Sequence, residues 1–363
     1  MIIVGCILGL ILCFYLLAIV CEDYFVSSLE KISEKLRLSE EVAGATFMAI
    51  SSSAPELFTS LIALTKTGNQ NIGAGAIVGS AIFNILVIIG VSTLVATAYL
   101  RWQPVLRDLL FYIFSIIILL FTFYDGVIEM HEAAIYLGGY VVYLIVLGMW
   151  GRVAKVEPQP EEAEKEEEDE EEGEAVGGPL SGLMKNFFPN EDRYILVFAI
   201  SIFFIGALSW ALVEIAVVLA VEIGIPAVII ALTVLAAGTS IPDMLSSIIV
   251  ARKGKGGMAV SNAVGSNTFD ILIGLGLPWM LYILVTGNNF VVDTTNLLSS
   301  VFLLFSTVVA LLMLFFLRRF QVGWWSGIVL IVLYMSYLGY AIWAANVPDP
   351  LGIESWLNSV VHG

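Results

Sequence analysis

Ser51-Ser52-Ser53-Ala54-Pro55-Glu56 recurs 187 residues later as Gly238-Thr239-Ser240-Ile241-Pro242-Asp243. Each copy is built from small hydroxyl residues, a proline and a carboxylate. A second phrase follows each: Val78-Gly79-Ser80-Ala81-Ile82-Phe83-Asn84 and, at an offset of 186, Val264-Gly265-Ser266-Asn267-Thr268-Phe269-Asp270. A carboxylate within a long apolar stretch is costly and calls for a reason. Proline removes a backbone donor and disfavours helix in the residue before it. Pro55 and Pro242 therefore predict breaks that leave carbonyls without helical partners. Carbonyls, hydroxyls and carboxylates together form an oxygen-rich cluster suited to hard cations such as Ca²⁺, Na⁺ and K⁺. No Cys or His lies near either phrase, which argues against zinc or copper.

Ser80 and Asn84 are four apart and share one helical face; Ser266 and Asp270 repeat that spacing. Gly75 with Gly79, and Ser261 with Gly265, give small-xxx-small patterns that allow close helix approach in a bilayer. The site would draw on four helical segments, at about 42–66, 72–90, 226–251 and 258–280.

The chain around these phrases is 363 residues, 59% hydrophobic and 13% charged, which excludes an ordinary soluble domain. Uncharged runs such as Ile2 to Val20, Ala133 to Trp150 and Leu297 to Leu317 predict membrane helices. The fold class expected is an all-α polytopic membrane protein of ten spans, at about 2–21, 40–66, 72–99, 108–124, 132–150, 194–221, 225–251, 258–285, 296–317 and 323–345. With that assignment, 15 of the 16 Lys and Arg fall in loops on one side, and only Lys66 on the other. The positive-inside rule makes the odd-numbered loops cytoplasmic and turns both termini outward. Nothing resembles a basic nucleic-acid surface.

The net charge of −16 comes largely from Glu157 to Glu174, which holds 12 carboxylates and one lysine. This run reads as a solvated cytoplasmic linker, with weak calcium attraction as the alternative. Residues 151–193 thus separate a first five-helix repeat, 1–150, from a second, 194–363. An odd number of spans per half gives the halves opposite orientation, so they are expected to be inverted repeats with broken helices at a shared site.

Several features carry no such signal. Cys6, Cys13 and Cys21 lie on or at the end of the first apolar run, in neither a disulfide framework nor metal-ligand spacing. That run lacks a basic leader and is read as a retained span, not a signal peptide. His131 and His362 read as solvated. Gly254-Lys255-Gly256-Gly257 lacks the P-loop spacing and reads as a basic turn. Glu214, inside the sixth span, has no counterpart in the first half. An internal pair, a water-filled cleft and a direct ligand role all remain open for it.

Glu41-Val42-Ala43-Gly44-Ala45-Thr46-Phe47-Met48-Ala49, with Ser52-Ser53-Ala54-Pro55-Glu56-Leu57-Phe58-Thr59-Ser60, is similar to the first α-repeat of sodium/calcium exchangers; Leu235 to Asp243 is similar to the second. Both belong to the cation/calcium antiporter superfamily. Three details resemble its potassium-dependent branch: Val20 to Phe25 leading to Ser28 to Ile32, aspartate at 243, and aspartate at 270. The resemblance implies Na⁺-driven Ca²⁺ transport with K⁺ carried alongside Ca²⁺, no enzymatic activity and no cofactor. It implies Glu56 and Asp243 as central Ca²⁺ carboxylates, with carbonyls near Ser52 and Thr239. It assigns Ser53, Ser80, Asn84, Ser240, Ser266 and Asp270 to Na⁺, with Asp270 governing K⁺. A plasma membrane is the family default, with an organelle as the alternative. The central loop is short and no long N-terminal region precedes the first span, so regulation by a folded loop domain is not expected.

Exchange follows from competition for one set of oxygens. Glu56 and Asp243 offset one Ca²⁺, and Asp270 supplies a third charge for a monovalent ion. An empty site leaves buried carboxylates unpaired, which hinders crossing without ions. Protons compete for the same carboxylates, so acidification is expected to inhibit. A Ca²⁺/H⁺ or K⁺-independent Na⁺/Ca²⁺ antiporter of the same superfamily is the nearest alternative. A cation channel fits less well, because two repeats converging on one site suit a carrier better than a continuous pore.

Overall fold

In a hydrocarbon medium the backbone can satisfy its polar groups only within the chain, and the apolar runs accordingly fold as helices. The computed structural model describes residues 1–36, 49–66, 68, 70–153, 181–190, 193–252, 254, 256–294, 297–344, 347 and 352. The helices that build the fold are α1 (Ile2–Leu29), α2 (Ala49–Ser52), α3 (Ala54–Ala63), α4 (Ile72–Val95), α5 (Trp102–Asp125), α6 (Met130–Trp150), α7 (Tyr194–Ile223), α8 (Ala227–Thr239), α9 (Ile241–Arg252), α10 (Gly256–Thr286), α11 (Leu297–Leu317) and α12 (Trp324–Ala344).

Among the described residues, eight of these are long and apolar enough to cross a membrane, and α8 with α9 makes a ninth candidate, bent by 41°. Ten were expected. The difference lies in the second expected span, of which α2 and α3 are the described part; residues 37–48 lie outside the described residues, as do 154–180, most of the acidic linker. Lys253, Lys255 and His362 lie outside them too.

The helices pack around two hydrophobic cores. One joins α4, α5, α6, α10, α11 and α12. The other joins α1 and α7, with Ala54 and Ala63 of α3 and Ile230, Ala231 and Leu235 of α8. The helices α4 and α8 contribute buried residues to both. Two short antiparallel strand pairs fix the ends. Ala98–Tyr99, after α4, pairs with Gln321–Val322, between α11 and α12. Val127–Ile128, between α5 and α6, pairs with Phe290–Val291, after α10. Since α5 separates residue 99 from residue 127, the two pairs sit at opposite ends of the bundle.

Gly79 shows how closely α4 meets α8. A Cβ there would fall 2.2 Å from the Leu232 carbonyl oxygen and 2.7 Å from the Ala236 Cβ. Gly238 opens the second copy of the repeated phrase where the first has Ser51, and the ring of Phe14 in α1 occupies the space its side chain would need, 2.0 Å from the Cβ position. Gly265 is different: the nearest atom to its Cβ position is the Tyr143 hydroxyl at 3.9 Å, so close packing does not require glycine there.

Candidate cation site

The helix breaks fall two residues before each proline. Ser53 is the residue between α2 and α3, at φ −95° and ψ 9°; Ser240 lies between α8 and α9, at φ −86° and ψ 5°. Both are close to the sparsely populated bridge region, where functional residues are often held. Pro55 and Pro242 occupy the second position of the helices that restart, where a missing N–H is tolerated. Neither can donate to the carbonyl four residues earlier, at Ser51 and Gly238. The restarted helices are anchored alike: Leu57 N–H donates to Ser53 O at 3.1 Å, and Met244 N–H to Ser240 O at 3.0 Å. Glu56 and Asp243 then stand in the first turn of α3 and α9, where the helix dipole favours negative charge.

Nearly all the sequence-selected residues meet in one buried cluster. Ser53, Glu56, Ser80, Asn84, Thr239, Ser240, Asp243, Ser266 and Asp270 are each at most 3% exposed; Ser52 is half-buried. The hydroxyls of Ser80 and Ser240 are hydrogen-bonded at 2.6 Å, one donating to the other, and they lie 3.3 and 3.2 Å from Glu56 Oε1, which accepts the remaining proton. Thr239 also approaches Glu56, while its hydroxyl donates to Leu235 O at 3.1 Å. Asp243 is approached by Ser52 and Ser266. Under the correspondence between copies, Ser52 answers to Thr239 and Ser266 to Ser80. Each carboxylate thus meets the serine of its own half's second phrase and a hydroxyl at the other half's break.

The two second phrases are joined directly. Asn84 Nδ2 donates to Ser266 Oγ at 3.3 Å and to Asn267 Oδ1 at 2.9 Å, and Asn267 Nδ2 donates to Ala81 O at 3.1 Å. Asp270 lies beside Ser53 and within electrostatic reach of Glu56 and Asp243.

Several oxygens of the cluster have no partner. Ser53 Oγ, Glu56 Oε2, Asn84 Oδ1, Asp243 Oδ1 and both oxygens of Asp270 are buried with no hydrogen-bond partner. The Lys66–Glu214 and Arg107–Asp108 ion pairs involve other groups. Buried polar atoms are nearly always satisfied, and three unbalanced acids in one place are expensive. A cation, which binds oxygen lone pairs directly, is a group that these oxygens can hold. Among the described residues no three acids, His or Cys lie close enough to hold a metal ion alone. Hydroxyl and amide oxygens would have to complete any coordination shell.

Three residues escaped the sequence reading. Asn267 ties α4 to α10, but the matching position is Ala81, so the repeat comparison gave it no weight. Glu22, on a π-helical segment Val20–Val26 of α1, reaches Asp243 electrostatically; the sequence offered it only as part of a family phrase. Asp108 is buried at the start of α5 and accepts from Arg107 Nε at 2.8 Å. Glu214 resolves in favour of the internal pair: it accepts a hydrogen bond from Lys66 Nζ, and the ammonium lies 5.6 Å from the centroid of the Trp210 ring. The three cysteines are free and buried, so they face helices.

The profile of the family described as "Sodium/calcium exchanger protein" matches residues 6–149 and 193–343, both halves of the chain. The chain belongs to this family. Sodium/potassium/calcium exchanger 4 of Mus musculus is 30% identical, in an alignment covering 93% of this chain and 80% of that protein. Sodium/potassium/calcium exchanger 2 of Gallus gallus is also 30% identical, over 92% and 76%. A solved structure of the sodium-calcium exchanger NCX_Mj, soaked with 10 mM Na⁺ and zero Ca²⁺, superposes with a TM-score of 0.58 over 93% of this chain and 99% of that one, at 24% identity. At that identity the match speaks for the fold. This exchanger-family chain is therefore a multi-pass membrane protein with the helical architecture of its family.

Proposed function

We propose that this exchanger moves Na⁺ against Ca²⁺, carrying K⁺ together with Ca²⁺, by alternating access through two inverted five-helix repeats. The observation that carries the reading is the set of six buried, unpartnered oxygens around Glu56, Asp243 and Asp270. Glu56 and Asp243 are the Ca²⁺ carboxylates, with backbone oxygens near Ser52 and Thr239. Ser53, Ser80, Asn84, Ser240, Ser266 and Asp270 serve Na⁺, and Asp270 serves K⁺. Similarity to the sodium/potassium/calcium exchangers and an aspartate at 270 support the potassium part.

The reciprocal contacts of the two carboxylates, and the two strand pairs, which exchange when the spans of one half are matched in order to those of the other, support the inverted repeats. In that arrangement one site faces either side as the α1–α7 group shifts against the rest. The reading places the protein in the plasma membrane, both termini outside and the acidic linker in the cytoplasm.

Reconstitution in liposomes tests it. Ca²⁺ uptake should follow an imposed outward Na⁺ gradient and should require K⁺ on the Ca²⁺ side. Uptake indifferent to Na⁺ would sink exchange itself, and uptake driven by a proton gradient would substitute the Ca²⁺/H⁺ reading. Indifference to K⁺ removes the potassium assignment alone.

A further inference from the structure

We propose that the Lys66–Glu214 ion pair is a latch that holds the site shut toward the outer face and opens in each transport cycle, an inference that rests on the alternating-access reading above. Lys66 closes the turn at the end of α3, with its N–H donating to Ala63 O at 3.0 Å. The helix that ends there begins with Glu56. The latch therefore acts on the far end of the element that presents a central carboxylate. Its partner stands within α7, 148 residues away, in a helix whose other residues are apolar or small but for Glu222 and a few hydroxyls.

A carboxylate in such a helix is costly unless paired, and the pairing is reinforced by the indole of Trp210 one turn earlier on the same helix. Both partners are only partly exposed, at 22% and 38%, so water screens them incompletely.

The two cores show what the pair spans. The α7 helix belongs with α1, whereas α4 and α10 and their polar phrases belong mainly to the other core. The α3 helix sets Ala54 and Ala63 into the α1–α7 core, and Leu64, just past its end, packs against the other. The three site carboxylates are at most 2% exposed. For an outer ion to reach them, α7 must part from the outer end of α3, and that movement separates Lys66 from Glu214. Lys66 is also the sole basic residue that charge sorting places on the outer side, so a cation pathway tolerates it there only with a carboxylate held against it. The pair is a positioning device: neither member touches the transported ions.

The test reads the two faces separately. Lys66→Gln and Glu214→Gln are reconstituted, and the apparent Ca²⁺ affinity of Na⁺-coupled exchange is measured from the outer and the inner side. Releasing the latch favours the outward-open state, so outer affinity should tighten several-fold while inner affinity weakens by a similar factor. The double variant should match either single one, because the pair acts as a unit. Lys66→Arg, which keeps the charge, should stay near wild type. Equal shifts on both faces, no shift, additive singles, or Lys66→Arg behaving like Lys66→Gln would each overturn the latch. A wild type without Na⁺-driven Ca²⁺ flux overturns the exchange reading, and the latch with it. A wild type that exchanges while the variants show no face-dependent shift overturns the latch alone.

Discussion

At the scale of single residues, the three acids differ in how their oxygens are supported. Glu56 has one oxygen held by Ser80 and Ser240 and one left open. Asp243 has Ser52 and Ser266 nearby and Oδ1 open. Asp270 has both oxygens open. A site emptied of charge at Glu56 or Asp243 cannot balance a divalent ion, so Glu56→Gln and Asp243→Asn should each lower Ca²⁺ flux by at least about tenfold, a transition-state or binding loss on the order of 1.4 kcal/mol or more. Asp270→Asn, which restores the residue found at Asn84, should keep measurable Ca²⁺ flux and lose its dependence on K⁺. Proteoliposome uptake with and without K⁺ checks all three; equal K⁺ dependence in wild type and Asp270→Asn would remove Asp270 from the potassium role. Glu56, Asp243 and Asp270 were legible because each sits in a phrase that occurs twice, in a setting where chance acids are rare. Asn267 was not, since its role depends on reaching the Ala81 carbonyl across 186 residues, and no local pattern encodes that reach.

At the scale of elements, the prolines marked the two helix breaks, but the structure places them at Ser53 and Ser240, one residue before the Ala54 and Ile241 that the pre-proline restriction names, because each proline sits at the second position of the helix that restarts. The π-helical segments Val20–Val26, Asn84–Ile88 and Ala231–Leu235 were illegible, because an apolar run reads the same whichever way its turns are wound. The small-xxx-small patterns were half informative: close approach is real at Gly79 and absent at Gly265. This contrast makes a stability prediction. Gly79→Val drives a side chain into the α8 backbone, and overpacking of this kind costs about 1–3 kcal/mol or prevents folding. Gly265→Ala meets nothing closer than the Tyr143 hydroxyl and should be neutral or stabilising by up to about 1 kcal/mol through helix propensity. Thermal unfolding of the purified proteins in detergent compares the two. A Gly79→Val protein as stable as wild type would mean that α4 and α8 do not approach as described.

At the scale of the whole molecule, orientation can be checked against two independent lines of reasoning that use no common residues. Lys and Arg sorting puts the loops holding Arg101 and Arg318 on one side. The strand pairs, by backbone hydrogen bonds alone, join residues 98–99 to 321–322 and 127–128 to 290–291. The first pair lies in the loops that charge assigns to the cytoplasm, the second in loops assigned to the outside. An odd error in the number of spans between residues 99 and 321, or between 128 and 290, would have set one strand of a pair on each side of the membrane. Gln321 and Val291 are exposed members of the two pairs and make suitable reporters. The native cysteines are buried, so they leave the background quiet. In intact cells a membrane-impermeant maleimide should label Val291→Cys and spare Gln321→Cys; permeabilisation should expose both. The reverse pattern would turn the whole protein over, exchanging the faces at which Na⁺ and Ca²⁺ are taken up and moving the Lys66–Glu214 pair to the cytoplasmic side. Labelling of both in intact cells would break the strand pairing as a guide to sidedness, and with it the support it lends to two repeats crossing the bilayer in opposite directions.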